Sequence, residues 1–251
     1  MSSRALSFGA VAEAYEQFRP GYPTALRDLV LDYAGGPIRT ALEIGAGTGK
    51  ATRLFAAAGT AVTATEPDPA MLAELRRQVP GSTAVRAAFE ELAPGQTYDL
   101  VYAAAALHWT KPEGRWPRVA AMLVPGGVFA SFGGPVRPAE PAVERIVDEA
   151  RSAFMDTDEI PSPDGTPPGH SMQWPGTELQ QSGQFTDVRQ AEIERRLTMS
   201  AAGYIGHLST ISAYLELPPA DRERLFRRLE QTLPEAIEID ARIIAHLARR
   251  L

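Results

Sequence analysis

Seven residues, Glu43-Ile44-Gly45-Ala46-Gly47-Thr48-Gly49, restrict the fold more than any other part of the chain. They follow a short apolar segment, Thr40-Ala41-Leu42-Glu43-Ile44, that reads as a strand. They precede Lys50 to Ala58, which reads as a helix stopped by Gly59. Glycines at this junction let the backbone turn sharply and let a ligand reach the main chain with no Cβ in the way. The helix that follows aims its free N–H groups at whatever occupies the turn.

The rest of the first half repeats the alternation of strand and helix, the pattern of a parallel sheet covered on both faces. Further strands are expected at Ala61 to Thr65, Thr83 to Ala87, Tyr98 to Tyr102 and Val128 to Phe132. Between them lie helices from about Pro67 to Val79, with Asp68 as N-cap and Pro69 at the first position, and from Arg115 to Leu123. The second half is less regular. Glu140 to Phe154 reads as an amphipathic helix, and Asp156 to Trp174 as a long Pro-, Gly- and Ser-rich loop. Strands near Phe185 to Val188 and Ile193 to Met199, helices at Ala201 to Leu215 and Pro219 to Leu233, and a strand or helix at Ile237 to Leu247 complete the chain. No internal repeat and no domain boundary is visible.

The spacing of the glycines narrows the ligand. A dinucleotide fingerprint requires G-x-G-x-x-G, and its third position, counted from Gly45, is Lys50. The carboxylate of Glu43 would repel a pyrophosphate but suits a cationic ammonium. A second acid, Glu66, ends the next strand, where it can accept hydrogen bonds from both hydroxyls of a ribose. Together they describe a nucleoside joined to a cationic amino acid.

At these residues the chain resembles the class I S-adenosylmethionine-dependent methyltransferases. Residues 43 to 49 look like their glycine-rich first motif and Glu66 like the acid of their second strand. Asp99-Leu100-Val101 matches the start of the fourth strand, and Leu123-Val124-Pro125-Gly126-Gly127 the turn before the fifth. Phe8-Gly9, Tyr15, Arg19-Pro20-Gly21-Tyr22-Pro23 and His108-Trp109 resemble the branch related to trans-aconitate methyltransferases. The resemblance covers about Phe8 to Phe132 well and the remainder loosely. It implies an α/β, Rossmann-like, seven-stranded, mostly parallel sheet with helices on both faces and a C-terminal antiparallel hairpin. The implied cofactor is S-adenosylmethionine, leaving as S-adenosylhomocysteine. One methyltransferase domain is expected over residues 1–251: a cap segment over 1–23, the cofactor core over 38–134, and substrate-side helices with the last two strands over 135–251.

The expected cofactor contacts are Glu43, Gly45, Ala46, Gly47, Gly49 and Glu66, with Pro67 and Met71 after the second strand and Ala104 after the fourth. The resemblance implies that Ala88, Phe89 and Glu90 flank the adenine. An Asp often stands where this chain has Ala88, so the adenine amino group is left to main-chain contacts or to Glu90. Phe89 is equally readable as core. The cap adds Tyr15 and Arg19, whose guanidinium suits a carboxylate of cofactor or substrate, whereas Phe8 and Phe18 read as packing. For the acceptor, Tyr22, His108 and Trp109 are the candidates, with His108 as base or as contact. The Asp156 to Trp174 loop and the helix carrying Tyr204, His207 and Tyr214 would set substrate choice. The short acidic run Asp156, Asp158 and Glu159 reads as a solvated loop.

Composition removes other classes. The 251 residues carry a net charge of −6, against a protein that clamps nucleic acid. There is no cysteine, which rules out disulfides and thiolate catalysis. The four histidines, His108, His170, His207 and His246, do not pair into a metal motif. No apolar stretch reaches the roughly 18 residues of a membrane span. The expectation is a cytoplasmic monomer or homodimer that methylates an oxygen or nitrogen, or a carboxylate, of a small molecule. An RNA or protein methyltransferase, an inactive cofactor-binding relative and, least favoured, an NAD oxidoreductase are the alternatives.

Overall fold

The computed structural model describes residues 9–93, 95–158, 161–167 and 169–251. Phe8 and Glu159, both singled out above, lie outside the described residues.

Two helices, α1 (Ala12–Phe18) and α2 (Thr24–Ala34), open the described chain. The alternation then follows: β1 (Thr40–Ile44), α3 (Lys50–Ala56), β2 (Ala61–Thr65), α4 (Pro69–Gln78), β3 (Thr83–Val85), β4 (Tyr98–Ala104), α5 (Arg115–Ala121) and β5 (Leu123–Gly133). Asp68 caps α4 as expected, its Oδ1 accepting from the N–H groups of Ala70 at 2.8 Å and Met71 at 3.0 Å. The third strand stops at Val85 instead of reaching Ala87.

The second half holds β6 (Arg137–Pro138), α6 (Pro141–Arg151), α7 (Gly176–Gln181), β7 (Phe185–Ile193), β8 (Arg196–Ser200), α8 (Ala201–Leu208), α9 (Ser212–Leu215), α10 (Pro219–Thr232), β9 (Ala236–Asp240) and β10 (Ile243–Arg250). The segment left open between strand and helix, Ile237 to Leu247, is two strands. Asp240 ends β9 and accepts from the guanidinium of Arg242, so the chain turns before β10 begins.

The main sheet runs β3-β2-β1-β4-β5-β10-β7. Its first five strands are parallel, and β10 is antiparallel to both β5 and β7. The C-terminal antiparallel pair is therefore present. Its two strands are joined by a long excursion in which β8 pairs with β9, not with β7, and a second sheet forms in the order β6-β9-β8. The alternation read at Ile193 to Met199 is real, but its apolar side chains, Leu197 and Met199, pack on the core of that second layer.

Three apolar clusters result. On one face of the main sheet Leu26 and Val30 of α2 and Phe55 of α3 meet Tyr102 and Phe132. On the other, Trp116 and Val119 of α5 and Leu179 of α7 meet Val101 and Phe129. Each such buried side chain contributes about 1.5–3 kcal/mol relative to exposure. The third cluster joins Val147 of α6, Tyr204 of α8, Leu229 of α10 and Ile239 of β9. Strand order reverses at β1, with β2 on one side and β4 on the other. The crevice beyond the carboxyl ends of β1 and β4 is where ligands bind in open α/β sheets.

Candidate active site

The glycine turn stands in that crevice. Gly45 and Gly47 have φ of 65° and 56°, values that residues with a Cβ seldom adopt. A Cβ on Gly45 would come 2.7 Å from the Cβ of Ala106, so the turn and the end of β4 pack at glycine distance. A Cβ on Gly47 would meet nothing closer than Tyr15 at 4.0 Å and would project into open space. That space is part of a cavity. Gly49 has a different job: its N–H donates to the Ala46 carbonyl at 2.9 Å, and a Cβ there would strike Val79 and Leu75.

Two carboxylates flank the turn. Glu43, in the middle of the sheet, is fully buried. Its Oε2 accepts from the hydroxyls of Thr52 at 2.5 Å and Tyr102 at 2.8 Å, and Oε1 has no hydrogen-bond partner among the described residues. Burial pushes its carboxyl up to about 8; the Thr52 and Tyr102 bonds oppose that rise and the charge of Glu66 adds to it. Glu66 accepts from the N–H of Gly47 and of Asp68, both at 2.9 Å. Burial raises its pKa too, against those two backbone bonds. Each Glu66 oxygen keeps a lone pair for a further donor.

Helix α1 is fastened across the turn. Glu16 accepts from the Thr48 hydroxyl at 2.7 Å and from Arg53 at 2.7 Å, while Lys50 donates to the Glu16 carbonyl at 2.7 Å. Burial alone would raise the Glu16 carboxyl; Thr48, Arg53 and Lys50 outweigh it and leave the pKa lowered. One turn on, Arg19 lies 5.2 Å above the Tyr15 ring and donates to the hydroxyl of Thr210 at 2.8 Å and its carbonyl at 3.0 Å. No carboxylate of the described residues pairs with Arg19, whose pKa burial lowers. The same helix thus touches the glycine turn at one end and the α8–α9 turn at the other.

Beyond β4, a single 3₁₀ turn, Leu107–Trp109, carries His108, whose ring lies 4.5 Å from that of Trp109. Buried Arg115 holds this turn by donating to the Thr110 hydroxyl at 2.8 Å and carbonyl at 2.9 Å. The next residue, Trp116, donates to Glu178 at 2.9 Å and ties α5 to α7.

A cavity of about 670 Å³ runs from the glycine turn into the space between the sheet and α6, α8 and α9. Tyr15, Arg19, Gly45, Gly47, Glu66, Pro67, Met71, Ala88, Phe89, Glu90, Ala104, His108 and Trp109 all line it. Glu43, Ala46 and Tyr22 line a smaller adjoining cavity that shares Arg19 and Gly47. The sequence reading therefore gathers one site, with Gly49 alone of its members off the cavity walls. Glu90 is partly spent, since its Oε1 accepts from the Lys111 N–H at 2.7 Å. The neighbouring Glu91 takes the Ala88 N–H at 2.8 Å.

Sequence reasoning missed the Glu16 network and the charged residues of the far wall, Arg137, Glu144, Asp148 and Arg151. Lys50 was the available signal. A cation at a helix N-terminus opposes the helix dipole and implies an outside partner, here Glu16.

The site fits a nucleoside bearing an ammonium. Glu43 is a carboxyl with one oxygen unpartnered among the described residues, Gly47 leaves open space beside Tyr15, and Glu66 keeps acceptor capacity on both oxygens. Comparison with known proteins agrees. Residues 42–129 match a family model described as a methyltransferase domain. An uncharacterized methyltransferase of Mycobacterium tuberculosis is 35% identical over 229 residues, covering 91% of this chain and 86% of its own length. A trans-aconitate 2-methyltransferase of Paracidovorax citrulli is 38% identical over 94 residues, about a third of either chain, 36% in each case. Among solved structures, a protein assigned as a type II methyltransferase of Anaeromyxobacter dehalogenans superposes with TM-score 0.63 at 25% identity, covering 92% of this chain and 98% of its own.

Proposed function

The chain belongs to the class I S-adenosylmethionine-dependent methyltransferases, and from that premise we propose that it methylates an oxygen or nitrogen of a small molecule. The continuity of the cavity carries this reading. One space of about 670 Å³ joins the glycine turn to an inner wall made by α6 and α8, within the range of small-ligand pockets.

When bound, S-adenosylmethionine supplies a methyl group on a cationic sulfur and departs as S-adenosylhomocysteine. The chain's part is to bind and to orient. Glu43 would take the ammonium on its free oxygen, Glu66 the ribose hydroxyls, and Arg19 the carboxylate as a fork of donors. Ala88, Phe89 and Glu90 would flank the adenine. Transfer in line needs the acceptor held at near-contact distance, so positioning supplies much of the acceleration. The turn carrying His108 and Trp109 would hold the acceptor from the β4 side, with Tyr22 nearby. His108 would accept the proton of a hydroxyl or amine as the new bond forms. We read the chain as one catalytic unit: residues 1–23 as cap, 38–134 as cofactor core and 135–251 as acceptor wall.

The test is to incubate the protein with methyl-labelled S-adenosylmethionine and a whole-cell extract, then separate small molecules from macromolecules. Label in the small-molecule fraction is expected. Label confined to RNA or protein would overturn the reading.

A further inference from the structure

The acceptor wall is charged, yet its charges are already matched. Arg151 donates to Asp158 and, at 2.6 Å, to Asp148. Asp158 also accepts from the Tyr214 hydroxyl at 3.0 Å. Arg137 stands 4.0 Å from Glu144. The remaining arginine of the cavity, Arg19, donates to Thr210 and belongs to the cofactor end in the reading above. Between the pairs the wall carries four apolar side chains, Val136, Val147, Leu208 and Ile211, among polar ones.

Two larger polar side chains of α8, His207 and Tyr204, stand beside them, and both are neutral. Burial, then the charge of Arg19, pushes the His207 imidazole down to about 3; burial, then Asp158, raises the Tyr204 hydroxyl. His207 is only 1% exposed, and its Nδ1 has no hydrogen-bond partner among the described residues. That nitrogen is sealed beneath the wall, so His207 adds no charge to the cavity.

A carboxylate acceptor would meet the wrong wall. To bind it, Arg151 would have to be drawn from Asp158 and Asp148, and the incoming carboxylate would lie beside both acids. A neutral molecule needs no such exchange. It can bury apolar surface against α6 and α8 and leave the ion pairs intact. We propose that the acceptor is an uncharged, largely apolar hydroxyl or amine compound, and that the paired arginines exclude polycarboxylates. This rests on the small-molecule reading above. It separates the chain from the relatives named for trans-aconitate, whose likeness covers only about a third to a half of it.

The test is calorimetric titration of the S-adenosylhomocysteine-saturated protein with two probes: trans-aconitate, and 2-naphthol, which is uncharged at neutral pH. 2-Naphthol should bind below about 1 mM, and trans-aconitate should not reach half-saturation by about 10 mM. Ile211→Asp should weaken 2-naphthol at least about tenfold and leave the nucleoside affinity within about twofold. Asp148→Asn combined with Asp158→Asn, which together uncover Arg151, should strengthen trans-aconitate at least about tenfold. Tighter binding of trans-aconitate than of 2-naphthol by the parent protein overturns the inference while leaving the small-molecule reading standing. So does failure of 2-naphthol to bind while trans-aconitate binds. Failure of both probes, with label appearing only on macromolecules, removes the small-molecule reading itself.

Discussion

The two halves of the cavity are made by different means. The cofactor half is built from backbone: a turn at φ values that favour glycine, main-chain N–H groups aimed at Glu66, and carboxylates at the ends of two neighbouring strands. The acceptor half is built from side chains, brought by α6 and by an excursion inserted between β7 and β10. Helix α1 spans both, through Glu16 at the glycine turn and Arg19 at Thr210. A backbone site tolerates few residue types and so keeps one ligand. A side-chain wall can be rewritten without moving the sheet.

If the division is real, substitutions should sort by half. The largest effect is expected from Gly47→Val, which fills the groove beside Tyr15 and forces a branched residue to φ near 56°. Affinity for S-adenosylhomocysteine should fall by more than about 100-fold, by calorimetry, with the circular dichroism of the folded protein kept. Parent-like binding by folded protein would misplace the cofactor. Next is His108→Ala. Turnover should drop by roughly 100-fold or more, while nucleoside affinity stays within about twofold. An unchanged turnover number removes His108 as base, and a large loss of nucleoside affinity breaks the division at that residue.

The same division explains what the sequence discloses. Gly45, Gly47 and Glu66 could be read because a sharp strand-to-helix turn and a strand-end acid demand particular residues at fixed spacing. The parallel strands were legible for a similar reason: β1 and β4 are buried along almost their whole length and read as apolar runs. Ile193 to Met199 was read as a strand, but alternation carries no information on which sheet receives it. Leu197 is half-buried against the third cluster only because β9 lies beside it. The Arg151–Asp158 and Glu16–Arg53 pairs join residues whose proximity only the fold creates. In sequence each is one charged residue among many.

A smaller effect than those above tests the strand-end acids. Glu66→Ala removes the carboxylate placed at the ribose, and with water taking over one hydroxyl the net loss is that of one charge-assisted hydrogen bond, about 1.5–3 kcal/mol. Affinity for S-adenosylmethionine should fall by about 10- to 150-fold, and Glu66→Gln should fall less because it can still accept the Gly47 N–H. Equal losses in the two variants would mean that shape, not charge, matters there.

The smallest effect concerns the proton on Glu43. Its folded-state pKa is raised by burial to about 8, above the ordinary carboxylate value. The sign follows. A raised carboxyl stabilises the ligand-free fold fully at low pH, and that contribution is lost as pH rises through about 8. A ligand ammonium reverses the preference, because it binds the ionised form and must displace the proton. Affinity for S-adenosylhomocysteine should therefore climb between pH 6 and 8, by at most about tenfold per unit, with a proton released to buffer on binding. The melting-temperature gain from the nucleoside should widen over the same interval. Glu43→Gln should bind more weakly at pH 8 and lose the slope, since an amide has no proton to surrender. A parent affinity flat from pH 6 to 8 would mean that the ammonium does not meet Glu43. The Glu43 carboxyl would then be holding Thr52 and Tyr102 and nothing else.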